Sequence, residues 1–235
     1  AERTRLDAVG AVDDHGVLVA ALAAERLGLA HNPSEAVAAA RDKAAMRQAF
    51  AAAGLPQPEY RIAGPRADVA LLAAEVGSPC VVKPVSLSAS RGVIRADDPP
   101  AAAAAAARIR EILREAAEDP DGPLLVECYL PGVEVAVEGL LRGGALEVLA
   151  VFDKPDPLEG PYFEETIYVT PSGLPGQGQR QVADAVARAV TTRTPGKPAS
   201  PSSWRPFRLT SSNTLPVTSV QSNVGSGATR TVTWR

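Results

Sequence analysis

Aromatic side chains are scarce in this 235-residue chain: Phe, Tyr and Trp make up 4% of it, against 46% for apolar residues as a whole. Cores built from such a sequence must be packed with Ala, Val and Leu, and the length supports one or two modest domains. Cysteine is scarce too. Cys80 and Cys128 sit inside apolar runs and read as buried free thiols of a cytoplasmic protein, although sequence alone leaves a disulfide between them open. His15 and His31 stand apart with no Cys/His cluster around them, which gives no support for zinc. A strong excess of either charge is missing as well. A net charge of -3 leaves no basic footprint for nucleic acid or an anionic membrane surface. No segment reaches the length of a membrane span, and the opening AERTRLDAVG has no apolar stretch of the signal-peptide kind. From Thr191 onward the chain has no Asp or Glu, holds both tryptophans, and scatters Ser, Thr, Pro and Arg with no lasting helical or strand period. A disordered tail fits that composition. A shifted reading frame fits it too, and accounts for a helix that leads into no further core strands.

What remains is well patterned. DAVGAV (7–12) reads as a strand, Gly16 to Leu27 as an apolar helix stopped at Gly28, and the stretch from Asn32-Pro33-Ser34 to Gly54 as one second helix. This alternation suggests the end of a parallel α/β layer. EYRIA (59–63) reads as a strand, Ala67 to Val76 as a helix, CVVKPV (80–85) as a buried strand and Val93-Ile94 as a brief one. Pro99 and Pro100 open a helix from Ala101 to about Glu118, with Ile109, Ile112 and Leu113 as its packing face. Three strands follow at 124–130, 133–141 and 145–152, the last two joined by a tight turn at Gly143-Gly144. TIYVT (166–170) predicts another strand, and Gln177 to Val190 a helix.

Two segments carry chemistry. In CVVKPVSLSASRGV a lysine, Lys83, leaves a buried strand beside a loop of small residues. Small side chains let backbone N–H groups approach phosphate oxygens, with the lysine as a neighbouring cation. The same segment also fits a lysine snorkelling to solvent above an ordinary turn. It is neither a P-loop, since no GK[ST] follows, nor a dinucleotide fingerprint. About forty residues on, LLVECYLPGVEVAVEG places Glu127 and Glu134 in otherwise apolar strands, where a carboxylate is costly without a partner. An extended Glu127-Cys128-Tyr129-Leu130 could present its backbone to an adenine edge, and Glu134 could accept ribose hydroxyls. A hairpin with both glutamates on its solvent face is the plainer alternative.

Together with AGLPQPEY, the helix carrying Asp42-Lys43 and Met46-Arg47, and FDKPDPLEGPYFEETIYVTPSGLP, these segments resemble the ATP-grasp family over about residues 7–190. The last block is similar to its carboxylate–amine, or amino-acid, ligase branch. The resemblance implies an α/β (α+β) fold: two α+β subdomains that clasp ATP, preceded by the end of a Rossmann-like domain. Its boundaries would be 1–40 for the preceding remnant, 41–123 for the first subdomain with its phosphate-binding loop, 124–190 for a partial second subdomain, and 191–235 for the tail. It implies ATP and Mg²⁺, a small-molecule carboxylate and an amine as substrates, no nucleic acid or membrane partner, and a cytoplasmic protein for which a homodimer is open. Lys43 and Lys83 would approach the phosphates, with Ser88, Ser90 and Gly92 in the covering loop, which Leu87 and Ala89 stiffen. Glu127, Tyr129 and Leu130 would frame the adenine and Glu134 the ribose. Lys154 would lie near the γ-phosphate, and Arg91 would contact substrate or phosphate.

The implied reaction passes the γ-phosphoryl group of ATP to the carboxylate, and an amine then attacks the acyl-phosphate. The family's metal carboxylates lie beyond the helix that ends here near Val190, where this chain has no acidic residue. Asn213 and Asn223 lack the accompanying Glu, and Glu164 and Glu165 do not match the metal motif. The expectation is therefore a truncated ligase without metal ligands. An inactive ATP-binding remnant, or a carboxylase of the biotin carboxylase type, are the alternatives.

Overall fold

The computed structural model describes residues 6–13, 16–142, 145–163, 166–192, 220–225 and 229–234. His15, the Gly143-Gly144 turn, Glu164, Glu165, Asn213 and the tail segment 193–219 lie outside the described residues.

Two helices, α1 (Gly16–Arg26) and α2 (Ser34–Arg41), come first and share a small cluster of Val17, Ala21 and Val37. The strand expected at 7–12 does not form, so the described residues hold no parallel layer there. The single helix expected from Ser34 to Gly54 is also broken. Asp42 adopts extended backbone, φ -105° and ψ 110°, and its carboxylate accepts from Ala44 N at 2.8 Å and Ala45 N at 3.0 Å. It thereby starts a new helix, α3 (Lys43–Ala52). A local side-chain cap outcompetes helix continuation at this residue, as Asp does at helix starts.

The rest forms two antiparallel sheets. The first contains β1 (Tyr60–Ala63), β2 (Cys80–Pro84), β3 (Ile94–Ala96) and β4 (Leu124–Cys128), in the order β1-β4-β2-β3. Helices α4 (Val69–Val76) and α5 (Pro99–Glu115) pack on it around Val82, Leu113, Leu124 and the fully buried Ile109. Each begins on an aspartate cap, Asp68 and Asp98, and the two prolines fill the first turn of α5, where their missing N–H groups cost nothing.

The second sheet holds β5 (Glu134–Arg142) and β6 (Ala145–Lys154), covered by α3 and α6 (Gly176–Thr192) through Met46, Phe50, Val137, Val151, Val182 and Val186. TIYVT does not form a full strand; only Val169 bridges to Asp153. Two strands do form where no lasting strand period is visible: β7 (Val220–Gly225) and β8 (Thr229–Trp234). They complete the order β6-β5-β8-β7, with β8 antiparallel to β5. TRTVTW is rich in β-branched residues, which suit a pleated surface even without apolar alternation.

Candidate functional site

Lys83, on β2, and Glu127, on β4, are both buried, at 5% and 3% exposure, and are bonded to each other through Lys83 Nζ and Glu127 Oε1. The second carboxylate oxygen, Oε2, accepts from Arg47 Nε at 2.6 Å and lies 2.5 Å from its Nη2. Arg47 comes from α3 and is 1% exposed. Burial alone would push the Glu127 carboxyl up, but the Lys83 and Arg47 charges overcome this and hold it below the usual carboxylate range. Burial pushes the Lys83 amine below the ordinary lysine range; Glu127 opposes the shift and Arg47 adds to it.

Beside this triad stands a second buried pair. Glu134 opens β5, Lys154 closes β6, and the register places them directly opposite each other, where they form an ion pair. Glu134 also acts electrostatically on Lys83, so the pair on the second sheet lies near the triad on the first. The cost of carboxylates in apolar strands is thus met by cations, and the solvent-facing hairpin does not form.

Lys43, one turn before Arg47 on α3, reaches the loop after β2. Its backbone N–H donates to Val85 O at 3.3 Å and its amine to Leu87 O. Leu87, expected to stiffen the loop, is itself in the first core. Ser88 and Ser90 are half-buried, and their carbonyls accept from Arg91 N and Val93 N at 3.3 and 3.1 Å. Ala89, Ser90 and Gly92 all have positive φ, and a Cβ on Gly92 would sit 3.2 Å from Pro84 Cδ. The positive φ favours glycine there, and the space beside Pro84 is tight. Arg91 is exposed, and among the described residues no side-chain contact ties it to the charge cluster.

Tyr129 and Leu130 leave β4 half-buried. Tyr129 N donates to Pro79 O at 3.0 Å, its hydroxyl to Leu158 O at 2.9 Å, and the Arg95 guanidinium lies 4.5 Å from its ring centroid. Arg95 also donates to Glu159 O at 2.7 Å, and its backbone N–H to Pro161 O at 2.9 Å. The Pro- and Gly-rich segment 155–163 is therefore strapped from the end of β6 onto β3, the edge of the first sheet.

Sequence reasoning brought together Lys83, Glu127, Glu134 and Lys154, but gave no role to Arg47 or Arg95. Arg47 was signalled only by its spacing of four from Lys43, which puts both on one helix face; nothing local marks Arg95. Among the described residues no group of three His, Cys, Asp or Glu side chains is placed to hold a metal ion. Glu127 and Glu134 are already taken by cations, so the described residues do not fit a Mg²⁺ site. A shallow cavity of about 490 Å³ opens beside β1, from Gln57 to Ile62, and contains none of these charged residues.

A family model described as the ATP-grasp domain matches residues 76–194, half of the chain. The chain belongs to the ATP-grasp family. It is 28% identical over 205 residues to alanine–anticapsin ligase of Bacillus subtilis (strain 168), covering 80% of this chain and 43% of that protein. It is 31% identical over 157 residues to D-alanine–D-alanine ligase of Aromatoleum aromaticum, covering 66% of this chain and 48% of the relative. Among solved structures it is similar to an L-amino acid ligase from Bacillus licheniformis, with a TM-score of 0.62 and 26% identity over 80% of this chain and 42% of that one. The chain thus spans less than half the length of these relatives. The ATP-grasp fold and the ligase character of its relatives agree with the resemblance seen in the sequence, and its family uses ATP.

Proposed function

We propose that this chain carries the nucleotide-binding core of an ATP-dependent carboxylate–amine ligase acting on amino acids. One observation supports this most: Lys83 and Arg47 hold the buried Glu127, Lys154 holds the buried Glu134, and Lys43 of the same helix as Arg47 holds the loop after β2. Lysine and arginine side chains brought together beside a loop of small residues suit a polyphosphate, the anion that family membership suggests.

In this reading Lys83 holds phosphate oxygens with the N–H donors that Glu127 leaves to it. Lys43 shapes the covering loop by holding the Leu87 carbonyl, so that Ser88, Ser90 and Gly92 face the nucleotide. The segment Glu127–Leu130 frames the adenine and Glu134 takes the ribose. Lys154, held by Glu134, is aimed at the terminal phosphate. ATP supplies the phosphoryl group that activates a carboxylate for attack by an amine. The names of the relatives, each an amino-acid ligase, suggest amino acids for both partners. Domain limits of 41–123 and 124–190, with a partial second subdomain, are part of the same proposal.

The test is a calorimetric titration with ATP. Lys83→Ala should weaken binding about tenfold or more, the size of a lost charge-assisted hydrogen bond, with an unchanged circular dichroism spectrum. Equal affinity in a folded variant would remove Lys83 from the phosphates and this reading with it.

A further inference from the structure

We infer that Arg47 is a positioning residue for Lys83: by gripping Glu127 it compensates that carboxylate, so that Lys83 can offer its own charge to a polyphosphate. This rests on reading the charge cluster as a nucleotide site. A buried Lys83–Glu127 pair taken alone is neutral and has little net attraction for an anion. With Arg47 on the other carboxylate oxygen, Glu127 is shared between two cations, and less of its charge is left to cancel that of Lys83.

The grip is built to be rigid. Two guanidinium nitrogens, Nε and Nη2, meet Glu127 Oε2, and the backbone carbonyl of Arg47 accepts from Gln57 Nε2 at 3.1 Å. The flanking Met46 and Phe50 are fixed in the second core, while Lys43 ties the start of the same helix to the loop after β2. One helix thus joins the second sheet, the covering loop and the carboxylate of β4. Arg47 touches no reacting atom in this arrangement; it acts through Glu127 and Lys83.

Among the described residues, the charged groups acting on Lys83 are Glu127 from β4, Arg47 from α3 and Glu134 from β5, the last paired with Lys154 of β6. Arg47 favours loss of the Lys83 proton, and the two glutamates oppose it. Removing Arg47 should therefore raise the pH at which Lys83 deprotonates, even as binding at neutral pH becomes weaker. A merely structural role would not move that pH.

The experiment follows ATP affinity by calorimetry from neutral to alkaline pH for the wild type, Lys83→Ala and Arg47→Gln. The alkaline decline in affinity should vanish in Lys83→Ala, which assigns it to that amine. In Arg47→Gln the affinity at neutral pH should fall about tenfold and the alkaline decline should move to higher pH. A decline left at the wild-type pH in Arg47→Gln, with Lys83→Ala having abolished it, overturns the role of Arg47 and leaves the nucleotide site standing. No change in Lys83→Ala overturns the site itself. Should Arg47→Gln fail to fold, Arg47→Lys carries the test, because it keeps the charge and loses the two-nitrogen grip. Its affinity should fall with the alkaline decline unmoved, and wild-type affinity in that variant would refute the inference.

Discussion

Glu127 is buried on a strand away from bulk solvent, so its charge depends on two cations from other elements. Glu127→Gln removes the anion and leaves Lys83 and Arg47 as buried like charges. The loss in unfolding free energy at neutral pH should be about 3–5 kcal/mol, read from denaturant midpoints. The pH dependence has a definite sign. Glu127 titrates lower in the folded protein than an ordinary carboxylate, so its contribution is complete above the ordinary range near about pH 4 and drains away as pH falls through the lower folded value. Wild-type stability should therefore fall in acid, and Glu127→Gln should show a shallower fall. Equal acid slopes would mean that Glu127 is not ionised in the folded state. The Lys83 amine works the other way: its lowered value costs stability at neutral pH, a cost relieved as pH rises toward the ordinary lysine range.

At the scale of the element, the 155–163 strap depends on a close approach that only glycine permits. Gly160 has φ +81°, and a Cβ there would lie 2.7 Å from the Cβ of Arg95. Gly160→Ala should lower stability by about 1–3 kcal/mol through backbone strain, and the displaced strap should be cut sooner in limited proteolysis. Arg95→Ala should expose the same segment to protease with a smaller stability loss, because it removes the ring contact, the hydrogen bond to Glu159 O and an exposed ion pair with Asp97 but introduces no strain. A strap equally resistant in both variants would show that its hold on β3 lies elsewhere. The break between α2 and α3 belongs to this scale too. Ser34 to Gly54 has helix-forming composition throughout, and a window-averaged reading runs across Asp42. One cap that also lets Lys43 N reach Val85 O was enough to divide it.

For the whole molecule, two cores matter: one under the first sheet with α4 and α5, the other under β5 and β6 with α3 and α6. α3 belongs to the second core by Met46 and Phe50, and to the first sheet by Ala44, which packs with Val85 and Leu125. By contrast α1 and α2 share only a small cluster. A chain beginning at Asp42 keeps the α3 cap and every residue of the charge cluster. It should bind ATP within about twofold of the full chain, since the removed residues bury little apolar surface against the two cores. A large loss of affinity or of the cooperative melt would show that the first two helices are integral to the fold. The hairpin of β7 and β8 adds a second neighbour to β5, so this strand is not the open apolar edge that a structureless tail would have left.

The sequence by itself determined the helix opened by Pro99 and Pro100, the strands from Cys80 to Lys154 within a residue or three, and the chemical oddity of Lys83, Glu127 and Glu134 in apolar surroundings. These are local matters: periodicity reports which side of an element is buried, and a charge in such a pattern must find a partner. Which partner it finds is a different question. Arg47 lies 80 residues before Glu127, and Lys154 meets Glu134 only because of the register between β5 and β6. TIYVT had the alternation of a strand but met Asp153 at one position only, whereas the polar TRTVTW paired along β5. Pairing across a sheet is decided by which edge is free and within reach once the chain has packed, so only the tertiary structure could choose among segments that locally fit equally well.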